Sequence, residues 1–482
     1  MPTAFAGNRL FHNTQIMLKD SYDIIVIGGG LGGLTAANRL ARAGYRVLLA
    51  EQHIQLGGLA TCFKRKGHIF DVALHGFPAG MRKSLRKYWG KDFADRVVQV
   101  KSIRFDNPQY RLESTFDTRD FAAKLHGHFG IPETTVAAFF DGIAAMNYYD
   151  DQSMTTREFF NKFFPGRTDI WRFLMEPITY ANGSTLDEPA ISYGIVFGNF
   201  MSEGVYTFEG GTDRMLEMMT AELEHNGVDI AMGTRAEAIA VNDKGRVEGV
   251  QFNGKVAGCR AVVSNGSLPR TILEWTGREH FSPEFLAGFD KVRLSTSSCQ
   301  VYIGIKPGEK LPYIGDLLFT SEYPEFDSDA LCAHHVTSRT FSVYYPQIRP
   351  GTNEYSVVAS MNARYQDWAS MDRDQYRAEK QKMTDDAIGC LERYIPNIRS
   401  LIDCTCAATP LTFQRYTGHC NGATFGTKFE GLKYSQGLCE QVPGLFHTGS
   451  VGIIMSGWLG AANYGVITAN AVDKFLATGA VR

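Results

Sequence analysis

The sequence predicts an α/β fold: a domain of parallel strands joined by helices, split by a second domain of α+β type. Three observations carry this. A β-branched run, "YDIIVI" (Tyr22–Ile27), is followed at once by a glycine cluster and then by a helical pattern. Material of the same kind returns at 206–269 and again at the far end, from Gly444 onward. Between these lie two less regular stretches, about 90–200 and 290–410, rich in Phe, Tyr and Met. A chain of 482 residues is also too long for a single core.

Tyr22–Ile27 reads as a short buried strand, and Leu31–Arg42 as a helix stopped by Gly44. "RVLLAE", Arg46–Glu51, reads as a second buried strand. Strand, glycine turn, helix and strand make a βαβ unit, so the two strands should run parallel. "GGTDRMLEMMTAELEHNG", Gly210–Gly227, places its apolar residues on one helical stripe. Short strands follow, with a turn at Asp243-Lys244-Gly245 and a buried strand at Cys259–Asn265. "GLFHTGSVGIIMSGWLGAANYGVITANAVDKFL" reads as strand, glycine-rich loop and helix. The expected division is one discontinuous domain of residues 20–115, 205–290 and 425–482, with a second domain of 116–204 and 291–424.

The glycines follow Gly28-x-Gly30-x-x-Gly33, with Ala37 four further on. Gly28 permits a tight turn. Gly30 lets a diphosphate approach the backbone without meeting a Cβ. Gly33 and Ala37 let the helix pack close to the strands. The helix start then offers free N–H groups and partial positive charge to the diphosphate. Glu51 ends the second strand, where a carboxylate can accept both ribose hydroxyls of an adenosine. It would repel a 2′-phosphate, which argues against NADP. A glycine turn in an unrelated α/β domain is the competing explanation, and the acid at the right distance weighs against it.

A second pair, Gly57-Gly58, follows the acid by six residues, and then comes Gly67-x-x-Phe70-Asp71. A plain NAD domain has no need of that pair. Here the chain resembles the FAD-dependent family of amine oxidases and phytoene desaturases, and within it the branch of carotenoid desaturases, carotenoid isomerases and retinol saturases. Three more blocks are similar to that family: Glu209–Ile239, "AVVSNGSLPRTI", and "PGLFHTGSVGIIMSGWLGAANYGVITANAV". The resemblance covers nearly the whole chain. It implies a Rossmann-like FAD-binding domain with an inserted α+β substrate domain. It also implies FAD held by Gly28, Gly30, Gly33, Glu51, Gly58, Ala236, Gly449, Ser450, Gly457, Trp458 and Leu459. The first N–H groups of a helix starting near Trp458 would face the flavin's pyrimidine edge and stabilise the negative charge of its reduced form. Two departures stand out. Leu59 replaces the Arg that often follows the second glycine pair, and Ser450 replaces the Asp of a Gly-Asp pair. Leu59 weakens the amine-oxidase comparison most.

Bulk properties narrow the classes. Net charge is −2, so there is no general basic field for nucleic acid. No run of about 18 apolar residues is present to span a membrane, and residues 1–20 lack the apolar core of a secretory signal. Nine dispersed cysteines suggest free thiols in a reducing compartment, and no metal site is visible. A cytoplasmic location is expected, with peripheral contact to the membrane. For that contact the segment Gly76–Phe93 is the candidate: Arg82, Lys83, Arg86, Lys87 and Lys91 interleave with Leu85, Tyr88 and Trp89. A solvated helix with one packed face is the alternative.

No general base announces itself. Glu209, immediately before Gly210-Gly211, is the one candidate for handling a proton. The pair His334-His335 and the strand residue His447 read as structural. Three functions remain open. The first is an FAD-dependent oxidoreductase acting on C=C or CH–CH bonds of a long apolar isoprenoid or polyene, by desaturation, saturation or cis–trans isomerisation. The second is an oxidase of amines or other small polar substrates. The third is a non-catalytic binding or escort protein of the same fold.

Overall fold

The computed structural model describes residues 17–73, 76–147, 153–201, 203–336, 338–349, 354–452 and 454–478. Residues 1–16 of the opening segment lie outside that set. Ile24–Ile27, buried throughout, pairs in parallel with Val47–Ala50 on one side and Ala261–Ser264 on the other. Asp229–Ala231 and Leu445–His447 extend this to five parallel strands, ordered 229–231, 47–50, 24–27, 261–264, 445–447. Strands covered on both faces become continuous apolar runs, which is why "IIVI", "VLLA" and "AVVS" show no polar alternation. The helices Leu31–Ala41, Gly211–His225 and Gly457–Ala477 share one apolar core on this sheet.

The second sheet is mixed and has seven strands, ordered 402–408, 297–305, 356–363, 338–344, 317–321, 103–106, 111–114. All neighbours are antiparallel except Leu317–Ser321 with Ile103–Asp106. Two expectations shift here. The stretch 290–410, read as less regular, supplies five of this sheet's strands and the helix Arg373–Glu392. The boundary drawn at residue 115 falls late, because Ile103–Asp106 and Arg111–Ser114 already belong to this second sheet. Helices between Thr118 and Asn199 pack beside it around Phe121, Phe139, Phe160, Phe173 and Phe197, all fully buried. Phe121 and Phe173 stack at 4.5 Å. The chain's wealth of phenylalanine therefore serves mainly this core, where each ring removes a large apolar area from water.

The basic segment at 76–93 forms a helix, Gly80–Tyr88. Its Met81 and Leu85, with Trp89 and Phe93 beyond, are buried in the protein's own core. Arg82, Lys83, Arg86, Lys87 and Lys91 stay exposed, and Arg86 and Lys83 meet Asp95 and Glu203 at 3.5 Å. The expected interfacial helix is thus corrected to one packed face with a solvated basic side, since the apolar residues that would enter a lipid surface are already used. Among the described residues no helix is long and apolar enough to cross a membrane.

Candidate active site

One cavity of about 1070 Å³ is lined by the ends of the parallel strands and by the seven-stranded sheet. At its first end the glycine turn has the geometry that demands glycine. Gly28 takes φ +96°, and a Cβ on Gly33 would lie 2.1 Å from the Gly28 carbonyl oxygen. The Gly57 N–H donates to the Gly29 carbonyl at 2.7 Å, tying the second glycine pair to the first loop, and Gly58 sits directly against Gly30. The helix Leu31–Ala41 begins at Gly30 with no capping side chain and no acidic residue in its first turn. Gly30, Leu31 and Gly32 line the cavity, so that helix start opens into it.

Glu51 is buried and also lines the cavity. Its carboxylate accepts from Gly29 N at 2.7 Å and His53 N at 2.9 Å. Burial pushes its pKa up, and the His53 and Gly29 N–H groups offset only part of that rise. The carboxylate is therefore fixed in place before any ligand arrives. Asn265, at the end of Ala261–Ser264, donates to the Gly28 carbonyl at 3.2 Å and lines the same wall. In the sequence it stands only within the block "AVVSNGSLPRTI", with no role of its own.

Ala236, Ser450, Gly457 and Trp458 line the cavity as well. The helix Gly457–Ala477 starts at Ser456 without a side-chain cap, because the Ser456 hydroxyl donates to the Phe425 carbonyl at 3.0 Å instead. Two uncapped helix starts thus open into one cavity. Three expected contacts do not reach its wall. Gly33 works at the helix–strand interface, as its spacing implied. Gly449 packs against the Gly266 carbonyl, 2.3 Å from where a Cβ would stand, and Leu459 packs against Gly80.

Glu209 is a correction. The strand Val205–Phe208 pairs with Val97–Val100, and Glu209, just past its end, turns a half-exposed carboxylate to Arg96 at 3.6 Å. It is off the cavity wall. His447 is buried: its Nε2–H donates to the Gly266 carbonyl at 3.0 Å and its Nδ1 accepts from Ser435 Oγ at 2.6 Å. Burial holds its pKa down, to about 4, against the Gly266 hydrogen bond. It is a neutral structural imidazole. His334 and His335 are exposed, and His334 faces Glu379 at 3.4 Å. Outside the cavity, His68, Asp403 and Cys404 bring ligand-type atoms within 4.8 Å of one another, but Asp403 already holds the imidazole at 3.0 Å.

The far end of the cavity was not anticipated. Ser298, Gln300 and Tyr302 reach it from the strand Ser297–Ile305, and Ser360 and Asn362 from Ser356–Ala363. Tyr180, from the helix Thr168–Asn182, lines it too. One turn earlier, Glu176 is fully buried, and burial pushes its carboxyl up to about 7 despite Arg172 nearby. The alternation in "SSCQVY" was the available sequence signal, and it does not say which face meets a cavity.

A glycine turn behind a parallel strand, a buried carboxylate and two uncapped helix starts on one cavity define a nucleotide-binding α/β protein. The flavin containing amine oxidoreductase family matches residues 31–383, and the chain belongs to that family. It is accordingly a flavin-containing oxidoreductase of the amine oxidase superfamily. It is 24% identical to the chloroplastic prolycopene isomerase of Daucus carota, over 85% of this chain and 72% of that protein. It is likewise 24% identical to the lycopene-forming phytoene desaturase of Pseudescherichia vulneris, over 81% of this chain and 85% of that one. The fold is similar to that of an oxidoreductase from Methanosarcina mazei, with a TM-score of 0.64 at 16% identity, covering 94% of this chain and 100% of that one.

Proposed function

We propose that the cofactor is FAD and that the chain acts on C=C or CH–CH bonds of a long isoprenoid or polyene. The observation that carries the reading is the continuity of this cavity. It joins the glycine turn and Glu51, through the start of the helix Gly457–Ala477, to a chamber floored by the second sheet. The names of the two carotenoid-acting relatives, matched over most of their length, support the substrate class. On this reading the parallel-sheet part holds the cofactor and the mixed-sheet part holds the substrate.

Bound there, FAD supplies hydride transfer to or from carbon. The chain's own groups then have separate tasks. Glu51 accepts the adenosine ribose hydroxyls. The N–H groups at the start of Leu31–Ala41 meet the diphosphate, with Gly30 and Gly58 keeping the approach clear. Ala236 offers a small face to the adenine. The N–H groups following Gly457 would offer positive partial charge to a flavin held there, which would favour its reduced form.

Anaerobic photoreduction followed by mixing with a polyene tests this. Flavin reoxidation identifies a saturase. A substrate spectral shift with the flavin still reduced identifies an isomerase. Bleaching of oxidised flavin by substrate identifies a desaturase. A protein that purifies colourless and stays so when given FAD would instead favour the non-catalytic binding reading.

A further inference from the structure

The chamber floor is polar where a plain hydrocarbon would call for apolar residues. Register pairs Ser298 with Asn362 and Gln300 with Ser360, and Tyr302 follows Gln300 on the same face. All five line the cavity. The opposite face of the same strands carries Cys299, Val301 and Ile303 with Val357, Ala359 and Met361, which form an apolar core against the helix Arg373–Glu392. The polar face is therefore turned toward the cavity, yet it is not a solvated outer surface: Gln300, Tyr302 and Asn362 are 3%, 2% and 7% exposed.

Buried amides are costly unless hydrogen-bonded, and here the bonding is half complete in a directional way. The Tyr302 hydroxyl, which also meets the Val72 carbonyl at 3.2 Å, points at Gln300 Oε1, so the Gln300 NH₂ is left to donate. Asn362 Nδ2 donates to the Thr179 carbonyl at 2.7 Å, so its Oδ1 is left to accept. A donor and an acceptor on adjacent strands match the lone pairs and the proton of one hydroxyl. None of the five residues is charged. Lys380, which also reaches the cavity, lies over the Tyr376 ring at 5.7 Å.

We propose that this wall reads a hydroxyl group on the substrate, so that the chain selects an oxygenated isoprenoid or polyene over the bare hydrocarbon. The inference rests on the polyene reading above and narrows it. A site built to pair with a hydroxyl discriminates strongly against the analogue lacking it, because its own buried groups are then left unpaired.

The test uses the flavin-loaded protein and two probes of one skeleton: β-carotene, and zeaxanthin, which adds a hydroxyl to each ring. Binding is read by quenching of protein fluorescence. Zeaxanthin is expected to bind about tenfold or more tightly. Gln300→Leu with Asn362→Leu should bring the two affinities within about threefold while the flavin content is kept. Equal binding of both probes by the unmodified protein overturns the hydroxyl assignment and leaves the polyene reading standing; that comparison needs no variant to fold. Binding of neither probe overturns the polyene reading, and this one with it.

Discussion

The two ends of the cavity are built from different material. At the end beside the glycine turn the wall is mostly backbone: N–H groups of two helix starts and glycines that remove Cβ atoms, with one carboxylate held by Gly29 and His53. At the chamber end it is done by side chains standing on a sheet, with Tyr302, Gln300 and Asn362 orienting one another or nearby carbonyls. The contrast teaches where specificity resides. A dinucleotide presents the same phosphates and sugars to every protein that binds it, so main-chain geometry suffices. A substrate differs from one enzyme to the next, and side chains can change without disturbing the strands beneath.

The sharpest way to break the contrast is Gly33→Val. Its Cβ would press on a backbone oxygen that cannot yield, so the loss should be about 3 kcal/mol or more. Urea midpoints should fall, and the protein should purify without yellow colour; retention of both would show that the turn is not under this constraint. Next come two buried titrating groups with opposite signs. His447 is neutral in the fold, with its pKa down at about 4. The unfolded chain therefore binds the extra proton between about pH 6.5 and 4, and stability is lost as pH falls through that window. Glu176 is held protonated up to about 7, so its contribution is lost as pH rises from the ordinary carboxylate range to 7. Each is worth up to roughly 3 kcal/mol. Over the shared window of about pH 4.5–6.5, urea titrations of His447→Gln and Glu176→Gln should shift the slope of stability against pH in opposite directions, and a shared direction of change would refute the assignment.

Glu51→Ala should weaken FAD binding by roughly 10- to 100-fold, the value of one charged hydrogen-bond partner. Titration of apoprotein with FAD measures it, and an unchanged affinity would remove the ribose role. The smallest effect belongs to Glu209→Gln. An exposed side chain paired with Arg96 should alter stability by no more than about 0.5 kcal/mol and leave flavin content and turnover unchanged. A large fall in turnover would restore it as a proton-handling group.

Legibility followed the same division. Ile24–Ile27, Leu31–Ala41 and Val47–Ala50 were readable because each is a local pattern: a β-branched run, a helical stripe, a glycine at a forced turn. The basic segment at 76–93 misled because amphipathic spacing looks the same whether its apolar side meets lipid or protein; burial of Leu85 and Trp89 decides it. Glu209 misled because its neighbours in sequence are not its neighbours in space. Strand pairing with 97–100 draws it toward Arg96.

By itself the sequence determined the parallel βαβ start, the positions where no Cβ is tolerated, and the acid beyond the second strand. Each depends on residues within a few tens of positions, so chain stereochemistry suffices to impose it. Only the tertiary structure decided that Ser298, Gln300, Tyr302, Ser360 and Asn362 share one buried wall. It also decided that the last helix opens beside the first. Those placements depend on register between strands some sixty residues apart and on helix ends more than four hundred apart, and such distances are closed by burial of apolar surface between layers, which no local pattern records.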